Sequence, residues 1–123
     1  MPVRVVLVED NEVFREALEL MLGMRDEVEV VGAVGDGAAA VDAALEHRPD
    51  VVLVDYRLPG IDGAQATREL LARLPGLGVV ALTASADESQ RAELLAAGAS
   101  ACLRKDQELD EIVAAIEHAA GGG

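Results

Sequence analysis

Residues 51–55, Val51-Val52-Leu53-Val54-Asp55, set four unbroken apolar side chains ahead of a carboxylate. A run this short and Val-rich, without polar alternation, reads as a strand covered on both faces, the habit of a parallel sheet. Pro49 stands just before it, where the chain enters the strand. Outward from this segment the same pattern recurs at Val3–Val8, Val28–Val34, Val79–Leu82 and Ala101–Leu103.

Between these runs the apolar residues take helical spacing. Leu109, Ile112, Val113 and Ile116 fall at i, i+3, i+4 and i+7, and Phe14, Leu18, Met21 and Leu22 form a similar stripe. Asp36–Glu46, Ala64–Leu74 and Asp87–Ala97 supply three further helices. Ser85 with Glu88, or Asp87 with Gln90, offers a capping box for the fourth helix; Gly98 is placed to end it, and Pro75-Gly76 to stop the third. Five strand–helix units of this size predict an α/β fold: an open, doubly wound, five-stranded parallel sheet with five helices. Residues 1–120 form that domain, and Gly121-Gly122-Gly123 reads as the start of a linker or an engineered end.

The bulk numbers agree. At 123 residues, 51% apolar and 27% charged, the chain suits one domain with a real core. Phe14 and Tyr56 are its only aromatics, too few for a stacked flavin or a single-strand nucleic-acid platform. A net charge of −13 opposes direct contact with phosphate backbones and anionic lipid. The lone Cys102, the lack of a signal-peptide pattern and the lack of a run near the ~20 apolar residues that span a bilayer predict a soluble cytoplasmic protein.

In open α/β sheets ligands bind beyond the carboxyl ends of the strands. Those ends carry Glu9 and Asp10, Asp55, Thr83 and Lys105. Two like charges about 4 Å apart repel by roughly 4 kcal/mol at an effective dielectric of 20, so three clustered carboxylates call for a proton or a cation. An all-oxygen site with open positions favours Mg²⁺ over Ca²⁺, and no His or Cys stands near for zinc. Lys105 and Thr83 suit an anion bound beside the metal, and an aspartate nucleophile forms acyl phosphates, which makes Asp55 the candidate.

These residues sit within longer matches: Val5-Val6-Leu7-Val8-Glu9-Asp10, Val51-Val52-Leu53-Val54-Asp55 with Leu58-Pro59-Gly60 and Asp62-Gly63, Leu82-Thr83-Ala84, and Gly98-Ala99-Ser100 leading to Lys105. Each is common alone; all in order are specific. Over essentially its whole length the chain resembles the receiver domains of bacterial two-component response regulators. The resemblance implies a flavodoxin-like sheet of order 2-1-3-4-5. It implies that Asp55 accepts a phosphoryl group from a sensor histidine kinase, and that Glu9, Asp10, Asp55 and the backbone carbonyl of Arg57 hold Mg²⁺. Thr83 and Lys105 would then contact the phosphoryl group.

The wording around Asp36-Gly37, Thr67-Arg68 and Lys105-Asp106 is similar to the LuxR-type subfamily with a C-terminal helix-turn-helix. That implies a switch for an attached or partner DNA-binding output domain, with self-catalysed phosphoryl uptake and loss as its only chemistry. A stand-alone relay is the alternative. The family also allows a phosphorylation-dependent homodimer, for which Leu94, Leu95 and the last helix are candidate surfaces.

Two positions depart from the family. Cys102 stands where receivers commonly place Tyr or Phe, and reads as a small buried strand residue ahead of a redox sensor. Asp106 stands where many have proline after the lysine, so the turn is expected to be trans or strained. Arg57 and Ser85 border the expected path of hydrolytic water. His47 and His118, near helix ends, are expected to face solvent. A phosphatase of the haloacid dehalogenase type would need an acid two residues after Asp55, where Arg57 stands; a flavodoxin-like carrier would meet repulsion from Glu9-Asp10. Both readings are weaker.

Overall fold

The structure is a computed structural model that describes residues 1–84 and 87–121. Five strands and five helices alternate: β1 Val3–Val8, α1 Glu12–Gly23, β2 Val28–Val34, α2 Ala38–His47, β3 Val51–Asp55, α3 Gly63–Arg73, β4 Gly78–Thr83, α4 Glu88–Ala97, β5 Ala101–Arg104 and α5 Leu109–Ala120. The strands pair in parallel in the order β2-β1-β3-β4-β5. Strand order therefore reverses beside β1 and β3, and their carboxyl ends flank the crevice where such sheets bind ligands.

The central strands β1, β3 and β4 are apolar over most of their length because each has two faces to bury. Val5, Leu7, Val51, Leu53, Val80 and Leu82 pack with Leu18 and Leu22 of α1 and with Ile112, Val113 and Ile116 of α5. The alternate residues Val6, Val8, Val52, Val54, Val79 and Ala81 meet α2, α3 and α4 through Ala40, Ala44, Ala64, Ala66, Leu70 and Leu94. Side chains alternate across a strand, so a continuous run of Val and Leu fills both layers at once.

Helix ends follow local chemistry. Asn11 Oδ1 accepts the Phe14 N–H at 2.9 Å, and Asp62 Oδ1 accepts that of Gln65 at 2.9 Å. Asp87 accepts the N–H groups of Ser89 and Gln90, which starts α4; Ser85, the alternative cap, lies outside the described residues. Gly98 closes α4 at φ 114°, a left-handed conformation that a side chain would strain. The second helix starts at Ala38, two residues later than the sequence predicts, because Asp36 stays outside and receives the Ala39 N–H at 2.7 Å. Of the terminal glycines only Gly121 is described, as the residue that ends α5.

Three expectations change or resolve here. His47 faces solvent only in part: about a third of its side chain (35%) is exposed, and its ring lies against Gly32, where a Cβ would come within 2.9 Å of the ring carbon Cδ2. The register slips between Val5 and Val6, so that Val31 is skipped and Gly32 pairs with Val6, which places a residue without a side chain under the ring. Leu94 is fully buried and offers no dimerisation surface, whereas Leu95 is exposed. The described backbone has no cis peptide, and Asp106 instead pairs with the Arg104 guanidinium.

Cys102 is a buried strand residue, and burial pushes its thiol above the ordinary range against the pull of Arg91. Arg104 is engaged by Asp106 and Lys105 by acidic residues, so neither activates the thiol. Two outcomes are expected. At pH 8 a maleimide should modify Cys102 at least about tenfold more slowly in the native chain than in urea. Ile116→Ala, in the core under β4, should cost about 2–5 kcal/mol in a urea melt, whereas Val13→Ala on the outer face of α1 should stay within about 0.5 kcal/mol.

Candidate functional site

β1 and β3 run side by side, with Val8 opposite Val54, so the residues that leave their carboxyl ends arrive together. Glu9, Asp10 and Asp55 bring one carboxylate oxygen each within 4.8 Å of one another. Glu9 and Asp55 are buried at 3% and 5% exposure, whereas Asp10 faces solvent at the mouth. Burial strips water from two like charges, so the cluster is stable only with compensation.

The compensation in this structure is Lys105. Its N–H donates to Thr83 O at 2.7 Å, which holds the residue after β5 against the end of β4. From there the ammonium reaches Glu9 Oε1 at 2.6 Å and Asp55 Oδ2 at 3.1 Å. It also lies 4.7 Å from the centroid of the Phe14 ring, a cation–π contact that lines the site with an apolar wall. Burial pulls the ammonium down, but hydrogen bonds and the charges of Glu9 and Asp55 raise it overall.

Glu9 is oriented from below. Its Oε2 accepts the Asn11 N–H at 2.9 Å, and its carbonyl accepts from the Arg15 guanidinium at 2.8 Å. Oε1 meets the ammonium by charge at short range, yet no donor is aligned on it as a hydrogen bond. Burial, reinforced by the negative charge of Asp55, lifts the Glu9 carboxyl above its usual range despite Lys105 and Asn11. Three carboxylates whose oxygens lie within 4.8 Å of one another, two of them buried, fit a hard cation with oxygen ligands. This cluster could hold a metal ion.

The floor around Asp55 is rigid. Tyr56 donates its N–H to Leu82 O at 3.1 Å and accepts the Gly63 N–H on its carbonyl at 2.7 Å. Gly63 is required at that approach, because a Cβ would come within 2.4 Å of Asp55 O. The Tyr56 phenol then spans to α4, donating to Glu93 Oε1 at 2.7 Å; that bond raises its pKa to about 12.

Of the residues singled out from sequence, the structure gathers Glu9, Asp10, Asp55 and Lys105 at one point. Thr83 is buried at the end of β4, tied to Lys105 through its carbonyl. Arg57 is exposed and shares a shallow depression with Asp10, Tyr56 and Asp62. Ser85 lies outside the described residues. Sequence reasoning missed Arg15 and the second role of Phe14. Both stand on the first turns of α1, a helix that starts two residues after Asp10, and that proximity was the available signal.

The comparisons with known proteins concur with this geometry. Residues 5–117 match the family model of the response regulator receiver domain. The chain is 36% identical over 121 residues to the transcriptional regulatory protein DegU of Brevibacillus brevis, covering 98% of this chain and 51% of that protein. It is 40% identical over 114 residues to the response regulator GacA of Pseudomonas viridiflava, with 93% and 53% covered. The chain thus spans about half the length of the curated relatives it matches. Among solved structures, the signal receiver domain of NarL from Mycobacterium tuberculosis superposes with a TM-score of 0.93 at 38% identity, covering 99% of this chain and 98% of that one. A LuxR-family two-component response regulator from Aurantimonas sp. SI85-9A1 gives 0.92 at 29% identity, with 99% and 87% covered. The chain is a member of the response regulator receiver domain family.

Proposed function

We propose that this receiver is switched by phosphorylation of Asp55, which takes a phosphoryl group from a phosphohistidine on a sensor kinase. The reading rests on one observation above all: Lys105 Nζ, from the end of β5, reaches past β4 to bridge Asp55 and Glu9 at the ends of the adjacent strands β3 and β1. An ammonium held there is placed to follow a phosphoryl group that arrives on Asp55.

In the proposed reaction an Asp55 carboxylate oxygen attacks phosphorus while the P–N bond of the phosphohistidine breaks. The imidazole leaves with the electron pair, and the product is an acyl phosphate. Lys105 neutralises one phosphoryl oxygen and the Thr83 hydroxyl donates to another. Glu9, Asp10, Asp55 and the Arg57 carbonyl would hold Mg²⁺, which when bound offsets phosphoryl charge and aligns its oxygens. Phe14 and the buried strand ends keep the low-dielectric side of the site dry, which strengthens each of these contacts.

The readout we propose is transcriptional, through an attached or partner DNA-binding domain, because the relatives DegU and GacA are a transcriptional regulatory protein and a response regulator. The acidic surface leaves DNA contact to that partner domain. No described helix is long and apolar enough to cross a membrane, and we place the switch in the cytoplasm with its kinase partner. A homodimer formed on phosphorylation remains part of this proposal.

Three outcomes test the reading. Saturating Mg²⁺ should raise the melting temperature of the free chain by several degrees, since ligand at a hundred times its Kd stabilises by about 2.7 kcal/mol, and Asp55→Asn should blunt the rise. A small acyl phosphate with Mg²⁺ should add one acid-labile phosphoryl group, seen by intact mass, that Asp55→Asn lacks; retention by the variant excludes Asp55. Lys105→Ala should keep the Mg²⁺ response and lose phosphorylation rate on the order of a hundredfold, by stopped-flow or mass time course.

A further inference from the structure

Helix α4 is anchored unlike its neighbours. Only Leu94 of its residues is buried, whereas α3 buries Ala64, Ala66, Thr67 and Leu70 and α5 buries Ile112, Val113, Ile116 and Ala119. Among the described residues, two side-chain hydrogen bonds tie it to its neighbours. Arg91 Nη1 donates to Cys102 O at 2.7 Å on β5, and Glu93 accepts the Tyr56 phenol at 2.7 Å from the other side. Between the start of α4 and β5 lies a cavity of about 200 Å³ whose walls include Thr83, Arg91 and Cys102. A helix with one fully buried side chain, a partly buried Ala97 and two side-chain hydrogen bonds to its neighbours, with space beside it, is a low-stability element that can take a second position.

The Tyr56 bond is the informative one because of its place in the chain. Tyr56 directly follows Asp55, and its N–H is bonded to Leu82, the residue before Thr83. Any shift of the β4 end toward a group on Asp55 is transmitted to the Tyr56 backbone through that bond. Hydrogen bonds weaken steeply as geometry departs from the optimum, so a sub-ångström shift is sufficient.

We propose that the Tyr56–Glu93 hydrogen bond is a latch that holds α4 in the unphosphorylated position, and that phosphorylation of Asp55 frees the helix by releasing it. This inference rests on the Asp55 reading above. An ordinary surface hydrogen bond would be indifferent to phosphorylation; a latch is a contact of one state only, so its loss shifts the balance toward the other.

The test is hydrogen exchange of the α4 amides, Glu88–Ala97, followed by mass spectrometry with and without acetyl phosphate and Mg²⁺. In the reaction Asp55 attacks phosphorus, the donor's P–O bond breaks and acetate leaves with the electron pair. Tyr56→Phe removes only the hydroxyl, and should accelerate α4 exchange about threefold to tenfold while α5 exchange stays unchanged. Glu93→Ala should do the same, and the double variant should add nothing to either single one. Acetyl phosphate should accelerate α4 exchange in the wild-type chain to the level of Tyr56→Phe, and should not accelerate it further in that variant. Unchanged α4 exchange in both single variants, or an equal phosphodonor effect in wild type and Tyr56→Phe, overturns the latch. If the wild-type chain gains phosphoryl mass and these arms fail, the latch alone is lost. If it gains none, the Asp55 reading falls and takes the latch with it as a readout.

Discussion

Two carboxylates stripped of water and one ammonium between them are the constraint that organises this molecule. Glu9 and Asp55 cannot both stay charged at the ends of adjacent buried strands without a cation at hand. Lys105 supplies it from the far side of the sheet, and the parallel register makes this delivery reliable. β4 lies between β3 and β5, and the Lys105 N–H bonded to Thr83 O places the ammonium at the reactive end rather than in solvent. A one-residue slip in β5 would send that side chain to the opposite face.

The sheet can bear this charge cluster because the rest of it is well packed. One layer buries Leu and Ile of α1 and α5; the other buries alanines of α2 and α3, which let those helices approach the strands closely. Gly63 extends the same close packing to the backbone of Asp55 itself. Close packing is therefore concentrated around the Asp55 backbone. It is weakest at α4, whose single buried leucine leaves polar bonds to define its position. A fixed carboxylate beside a loosely anchored helix is a sensible division for the proposed switch, since one part must be precise and the other must move.

Residues that carry local or periodic information were legible before any coordinates. The double burial of the strands shows in unbroken valine runs, and the cap at Asp87 and the stop at Gly98 show as residue types at required spacings. The gathering of Glu9, Asp10 and Asp55 was legible too, because parallel sheets deliver strand ends to one rim. The half-buried placement of His47 was not legible. Its contact with the sheet depends on a register slip that puts Gly32 beneath the ring, and a slip between two strands leaves no mark in either one alone. Leu94 and Leu95 look alike in sequence, yet one is buried and the other exposed, because helix rotation is decided by the partner surface.

What the chain order alone determined was the alternation of strands and helices, and with it the rim on which the acidic residues and the lysine would fall. Periodicity and turn chemistry are short-range properties, written within a few neighbouring residues. Tertiary structure decided which oxygen Lys105 touches, that Phe14 lies beside its ammonium, and that the Tyr56 phenol ends on Glu93, thirty-seven positions along. Contacts of that kind depend on distance and angle between elements brought together only by packing, and no local pattern encodes them.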